Sequence, residues 1–132
     1  MDQPEEKRKS VLMVEDDTLL AAAIVPLLVE KGYSVNLVTD GEAAMSLIRL
    51  RYYDFVYLDI MLPYVSGLDV LKRLKSPEIR VGPVVVFSGL TREVAESKAM
   101  EFGATEYVFK GDVTPQQVAD KAASYVNRSS QD

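Results

Sequence analysis

Phe55-Val56-Tyr57-Leu58-Asp59 is four apolar residues followed by an acid. It reads as a buried strand that ends in a carboxylate. An earlier run, Val11-Leu12-Met13-Val14, ends in Glu15-Asp16-Asp17. A third, Val84-Val85-Val86-Phe87, ends in Ser88, and a fourth, Tyr107-Val108-Phe109, ends in Lys110. Short, nearly continuous apolar strands that alternate with amphipathic helices make a parallel sheet covered on both faces. The carboxyl ends of such strands lie together, and ligands bind just outside them. Acids, a hydroxyl and an amine that are far apart in sequence are thereby expected to meet in one divalent-metal and phosphoryl site.

The alternation continues along the chain and predicts an α/β fold with a doubly wound five-stranded parallel sheet. Strands are expected at about Ser10–Val14, Ser34–Val38, Phe55–Asp59, Val84–Ser88 and Glu106–Phe109. Helices are expected at about Thr18–Lys31, Glu42–Leu50, Leu68–Lys75 and Arg92–Phe102, with a last one from Thr114 to about Val126. Gly32 and Gly103 suit helix stops, and Ser66 suits a cap. Thr114-Pro115-Gln116-Gln117 has a cap, a proline at the first helical position and a glutamine placed for a capping box. Pro26 inside the first helix should kink it or shorten its ladder. Residues 1–9 read as a disordered tail, 10–127 as one domain and 128–132 as a second tail, with fraying from Asn127.

A chain of 132 residues suits one domain. Cysteine is absent, which excludes disulfides and thiolate chemistry. Histidine is absent too, so the chain cannot itself act as a phosphohistidine carrier. Net charge is −5 and the only basic run is Lys7-Arg8-Lys9, which reads as a solvated tail. Nucleic acid is therefore not an expected partner. No apolar stretch reaches the roughly 18 residues of a membrane span, and the polar start has no signal-peptide core. The expected location is the cytoplasm.

Glu15, Asp16 and Asp59 are expected to face one another. Like charges at that range raise each other's pKa unless a cation neutralises them. Mg²⁺ fits, because it takes hard oxygen ligands and is held by one or two carboxylates plus a phosphate. Asp17 and Thr18 can cap the first helix, which leaves Glu15 and Asp16 for other work. A carboxylate such as Asp59 can become an aspartyl phosphate. Such transfer needs positioning and charge neutralisation more than acid–base chemistry. Lys110 is the expected cation and Ser88 the expected hydroxyl donor.

Four segments together resemble the receiver domain of two-component response regulators, over about Ser10–Val126. They are Val11-Leu12-Met13-Val14-Glu15-Asp16-Asp17, Tyr53 through Pro63, Val84 through Gly89, and Gly103 through Lys110. The resemblance implies the flavodoxin-like (βα)5 fold with strand order 2-1-3-4-5. It implies that Asp59 accepts a phosphoryl group from a sensor histidine kinase or a histidine phosphotransfer protein. Mg²⁺ would be held by Asp16, Asp59 and the backbone carbonyl of Met61, with Glu15 acting through water. Ser88 and Lys110 would bind phosphoryl oxygens, and Tyr107 would be the switch aromatic. A phosphorylation-dependent contact with a downstream protein would form on helix four, strand five and helix five. The domain would be a monomer or a phosphorylation-dependent dimer, and a phosphoacceptor rather than an enzyme.

Three departures from the family pattern stand out. Lys110-Gly111 replaces Lys-Pro, and a trans bond is expected because a cis bond before a non-proline costs about 2.5–4 kcal/mol. Ser66-Gly67 replaces Asp-Gly. Met61 and Leu90 are apolar where some members carry polar groups, so neither can orient an attacking water, and slow self-dephosphorylation is expected. Only six residues follow Val126, so a complete chain would act through protein contact alone.

Other readings fit less well. A haloacid-dehalogenase-type phosphatase needs an acid two residues after its nucleophile, where this chain has Met61. A flavodoxin-like FMN carrier needs a glycine- and hydroxyl-rich phosphate loop after the first strand, where Glu15-Asp16-Asp17 would repel phosphate. A receiver that docks without being phosphorylated stays within the same family.

Overall fold

The computed structural model describes residue 4 and residues 7–130, with 129 and 130 described in backbone only. The elements follow in chain order: β1 (Ser10–Val14), α1 (Thr18–Glu30), β2 (Ser34–Val38), α2 (Gly41–Leu50), β3 (Phe55–Leu58), α3 (Gly67–Leu74), β4 (Val84–Ser88), α4 (Arg92–Glu101), β5 (Glu106–Phe109) and α5 (Pro115–Ser130). The strands pair in parallel in the order β2-β1-β3-β4-β5. Every expected strand and helix is present, with ends displaced by a residue or so. The exception is α5, which runs to Ser130 and is helical where fraying from Asn127 was expected. Of the tail expected at residues 1–9, residues 1–3, 5 and 6 lie outside the described residues. Lys9 does not behave as a tail: its carbonyl accepts the Ser34 N–H at 2.9 Å. Its ammonium lies 4.0 Å from Asp54.

Side chains alternate across each strand, so the sheet builds two cores. Leu12, Val14, Val56, Leu58 and Val86 pack against α2, α3 and α4. Val11, Met13, Phe55, Tyr57, Val85 and Phe87 pack against α1 and α5. Tyr57 is buried, and its hydroxyl donates to the Val118 carbonyl at 2.7 Å, which fastens α5 to the sheet.

The helix starts are read by polar side chains. Asp17, Asp40 and Ser66 accept N–H groups in the first turns of α1, α2 and α3. Thr114 and Gln117 make the reciprocal capping box at the start of α5. Gly32 and Gly103, at φ of +94° and +104°, end α1 and α4. Helix α1 is continuous through Pro26. The bond that Pro26 cannot donate would go to the Ala22 carbonyl. Both residues are exposed, so water can satisfy that carbonyl.

Candidate functional site

Parallel register places the site. Val14 pairs with Leu58, so Glu15 and Asp59 leave the sheet side by side. Leu58 pairs with Val86, and Ser88 pairs with Phe109, which brings Ser88 and then Lys110 to the same edge. The Asp59 N–H donates to the Val14 carbonyl at 3.1 Å and extends the ladder to the site itself.

Glu15 is wholly buried, Asp59 is 2% exposed and Asp16 is exposed. The Lys110 ammonium lies 2.8 Å from Glu15 Oε1 and 3.1 Å from Asp59 Oδ2. It also stands 5.4 Å from the centre of the Phe87 ring. Glu15 Oε2 accepts the Asp17 N–H at 2.9 Å. Asp59 Oδ1 accepts the Met61 N–H at 3.0 Å, which ties the backbone of the β3–α3 loop to the acid. Ser88 is buried, and its Oγ accepts the Leu90 N–H at 3.1 Å, which leaves its own proton available to donate.

One ammonium is shared between two buried acids. Burial pushes the Glu15 carboxyl above the ordinary carboxylate range; the Asp59 charge adds to this, against the pull of Lys110 and the Asp17 N–H. For Lys110, burial alone would lower the ammonium's pKa. The hydrogen bond to Glu15 and the negative charge of Asp59 outweigh it and carry the pKa up.

The acidic oxygens suit a hard cation. Ligand atoms of Glu15, Asp16 and Asp59 all lie within 4.8 Å of one another. Glu15 Oε1 is buried and accepts no hydrogen bond of good geometry, so its contact with Lys110 is one of charge. A carboxylate oxygen in that condition has a lone pair left for a cation or its water.

The loop after β3 closes tightly over this pocket. A Cβ on Gly67 would collide with the Asp59 carbonyl, so only glycine fits. The Gly67 N–H donates to the Ile60 carbonyl at 2.9 Å. Ser66 caps α3 in the role an aspartate would take, which makes Ser66-Gly67 structurally equivalent there. The Lys110–Gly111 bond is trans, as is every other peptide bond among the described residues. Gly111 has a packing reason of its own: a Cβ there would come within 2.5 Å of the Phe109 ring.

Tyr107 is 1% exposed and points inward. Its hydroxyl donates to the Leu90 carbonyl at 2.5 Å. Ser88 and Tyr107 thus hold opposite ends of one peptide segment, the Leu90 N–H and the Leu90 carbonyl. Arg92 adds a bond from its guanidinium to the Tyr107 carbonyl at 3.0 Å, joining α4 to β5. Sequence reasoning named Leu90 only for its apolar side chain and did not reach Arg92. The backbone contact of Leu90 carries no residue-type signal. Arg92, at a helix start, is ambiguous without the fold.

An open parallel sheet with acids, a hydroxyl and a lysine at its carboxyl edge defines a doubly wound α/β domain with an acidic site suited to a divalent cation. Comparison with known proteins gives the family: residues 11–122 match the response regulator receiver domain model, and the chain belongs to that family. It is 39% identical over 100 residues to the transcriptional regulatory protein DltR of Streptococcus agalactiae, a match covering 76% of this chain and 44% of that protein. It is 39% identical over 101 residues to the sensory transduction protein RegX3 of Mycobacterium tuberculosis, again covering 76% and 44%. The chain thus matches less than half the length of these relatives. Among solved structures, a CheY-like receiver domain protein of Methanospirillum hungatei superposes with a TM-score of 0.82 at 21% identity, covering 95% of this chain and 98% of the other. The receiver domain of a Francisella response regulator gives 0.81 at 26% identity, covering 92% and 98%.

Proposed function

We propose that Asp59 takes a phosphoryl group from a phosphohistidine on a sensor histidine kinase or histidine phosphotransfer protein. The histidine N–P bond breaks as an Asp59 O–P bond forms, and the imidazole keeps the electron pair and takes a proton from water. The observation that carries this reading is the Lys110 ammonium, 3.1 Å from the Asp59 carboxylate and shared with buried Glu15. That cation is placed to neutralise charge gathering on the phosphoryl oxygens. Asp16, Asp59 and the Met61 carbonyl would hold Mg²⁺, with Glu15 reaching it through water. The bound cation supplies further neutralisation of the phosphoryl group.

Signalling follows from the Leu90 segment. A phosphoryl oxygen offers Ser88 a new acceptor and draws its hydroxyl from the Leu90 N–H. The Leu90 carbonyl holds Tyr107, so the change is passed to β5 and α4. The phosphoryl group biases two arrangements of this segment by contacting them unequally. The α4–β5–α5 face then meets a downstream protein. In this reading residues 10–127 form the receiver unit, it works in the cytoplasm, and its self-dephosphorylation is slow because Met61 and Leu90 cannot orient water.

Incubation with acetyl phosphate and Mg²⁺, followed by intact mass measurement, tests the reading. One phosphate should add to the parent and none to Asp59→Asn. An unmodified parent would favour a docking module that works without phosphorylation.

A further inference from the structure

We infer that a second ligand site, at the opposite end of the sheet from Asp59, binds a nucleotide through its phosphates and its base. Residues just before β3 and β4 line a cleft of 660 Å³ there. That volume is in the range of small-molecule sites, roughly 300–1,000 Å³.

The charge of the cleft opposes that of the chain. Net charge is −5, yet Arg49, Arg51 and Arg80 line this space with one acid, Glu78. Glu78 is engaged by the Ser76 hydroxyl at 3.1 Å. None of the three guanidiniums pairs with an acid among the described residues, whereas Lys31, Arg73, Arg92, Lys110 and Lys121 all do. Complementing the α2 dipole accounts for Arg49 and Arg51, which sit at that helix's end. It does not account for Arg80, which comes from the segment before β4 and faces the same space. Guanidinium forks bind phosphate oxygens two at a time.

Backbone and ring contacts brace the surroundings of the cleft, and one aromatic, Tyr52, lines it. The Arg51 guanidinium is held 5.1 Å from the centre of the Tyr53 ring. The Gly82 N–H donates to the Tyr53 carbonyl at 2.9 Å and ties together the segments that lead into β3 and β4, next to the cleft. A Cβ on Gly82 would strike the Asp54 carbonyl, so the segments leading into β3 and β4 approach this closely beside the cleft only because residue 82 is glycine. Tyr52 lines the cleft and is 51% exposed, which leaves ring surface for a base to stack on. An aromatic beside several guanidiniums suits a ligand with both a planar ring and phosphates.

Calorimetric titration of the full chain with ADP, pyrophosphate and adenosine, in low salt without Mg²⁺, tests this. ADP should bind saturably, pyrophosphate about tenfold more weakly because it lacks the stacked base, and adenosine more weakly still. Arg80→Ala, which removes no hydrogen bond or ion pair among the described residues, should weaken ADP at least tenfold at a nearly unchanged melting temperature, and Arg80→Lys should recover only part of the loss. Asp59→Asn should bind ADP as the parent does, which separates this site from the phosphoacceptor. Absence of saturable ADP binding, or an Arg80→Ala protein that binds like the parent, would overturn the assignment. So would equal affinity for ADP and pyrophosphate, or loss of ADP binding in Asp59→Asn.

Discussion

The Lys110 ammonium stands 2.8 Å from Oε1 of Glu15, a carboxylate with no exposed surface. The pair is the electrostatic hinge of the pocket, since the same ammonium also touches Asp59. Removing the cation leaves two buried acids facing each other. Lys110→Ala should cost about 3 kcal/mol in urea unfolding, the range for breaking a buried pair. Millimolar Mg²⁺ should restore part of the loss, because a ligand bound only by the folded state stabilises it. An unchanged midpoint without metal would contradict the geometry.

Glu15→Gln should act in the opposite direction. Burial first, then the charge of Asp59, holds the Glu15 carboxyl above its ordinary range. A raised acid penalises folding at pH above its folded pKa, and the penalty disappears as pH falls below the ordinary value of about 4.3. The variant should therefore be more stable than the parent at neutral pH without metal, with the gap closing in acid. Its Mg²⁺ affinity should drop about tenfold or more, as for lost partners around a metal site. Denaturation against pH and a Mg²⁺ titration measure the two effects.

Glu106 shows the reverse linkage. Burial alone would raise its carboxyl; hydrogen bonds from Lys121 and Tyr125 outweigh that and bring it below the usual range. Each of those bonds is 2.5 Å long. The Tyr125 phenol is correspondingly pushed up to about 12, by burial first and then by its bond to Glu106. A lowered acid stabilises the fold above its ordinary pKa and loses that contribution as pH falls through the depressed value. Glu106→Gln should cost about 1 kcal/mol at neutral pH. The difference from the parent should vanish in strong acid; a difference that persists there would point to packing instead of charge.

Gly67→Ala should be among the most damaging small substitutions. The new methyl would overlap the Asp59 carbonyl and the Ile60 Cα, and backbone cannot swing aside as a flexible side chain would. Overpacking of this kind costs about 1–3 kcal/mol. Because the strain falls on Asp59, phosphate uptake from acetyl phosphate should slow as well. Melting and intact mass on one sample would expose a variant that loses neither.

The phosphorylated lifetime tests the apolar flanks. Met61 is 55% exposed and its side chain offers no group to orient water over Asp59. The isolated phosphoprotein should persist for minutes or longer, and Met61→Asn should shorten it. Decay of the parent within seconds, followed by intact mass, would refute the prediction.

Much of the site was legible because it depends on strand ends. Apolar runs that stop at Glu15, Asp59, Ser88 and Lys110 announce their own termini, and parallel pairing does the rest. The caps at Asp17, Ser66 and Thr114 were legible for the same local reason. The extent of α5 was less so, since Asn127 and the serines after it are weak helix formers and their helical state to Ser130 shows no local signal.

Residue order alone determined which chemistry this chain can assemble: hard-oxygen acids, one hydroxyl and one lysine, each at the end of a buried strand. Tertiary structure decided that Glu15 and Asp59 share Lys110, how tightly Gly67 closes on Asp59, and that Ser88 and Tyr107 hold the backbone on either side of Leu90. Strand periodicity is a property of neighbours in sequence, whereas these contacts depend on distances between elements that only packing sets. Arg80 makes the same point at the other end of the sheet, where it lines one cleft with Arg49 and Arg51 because β3 and β4 are adjacent.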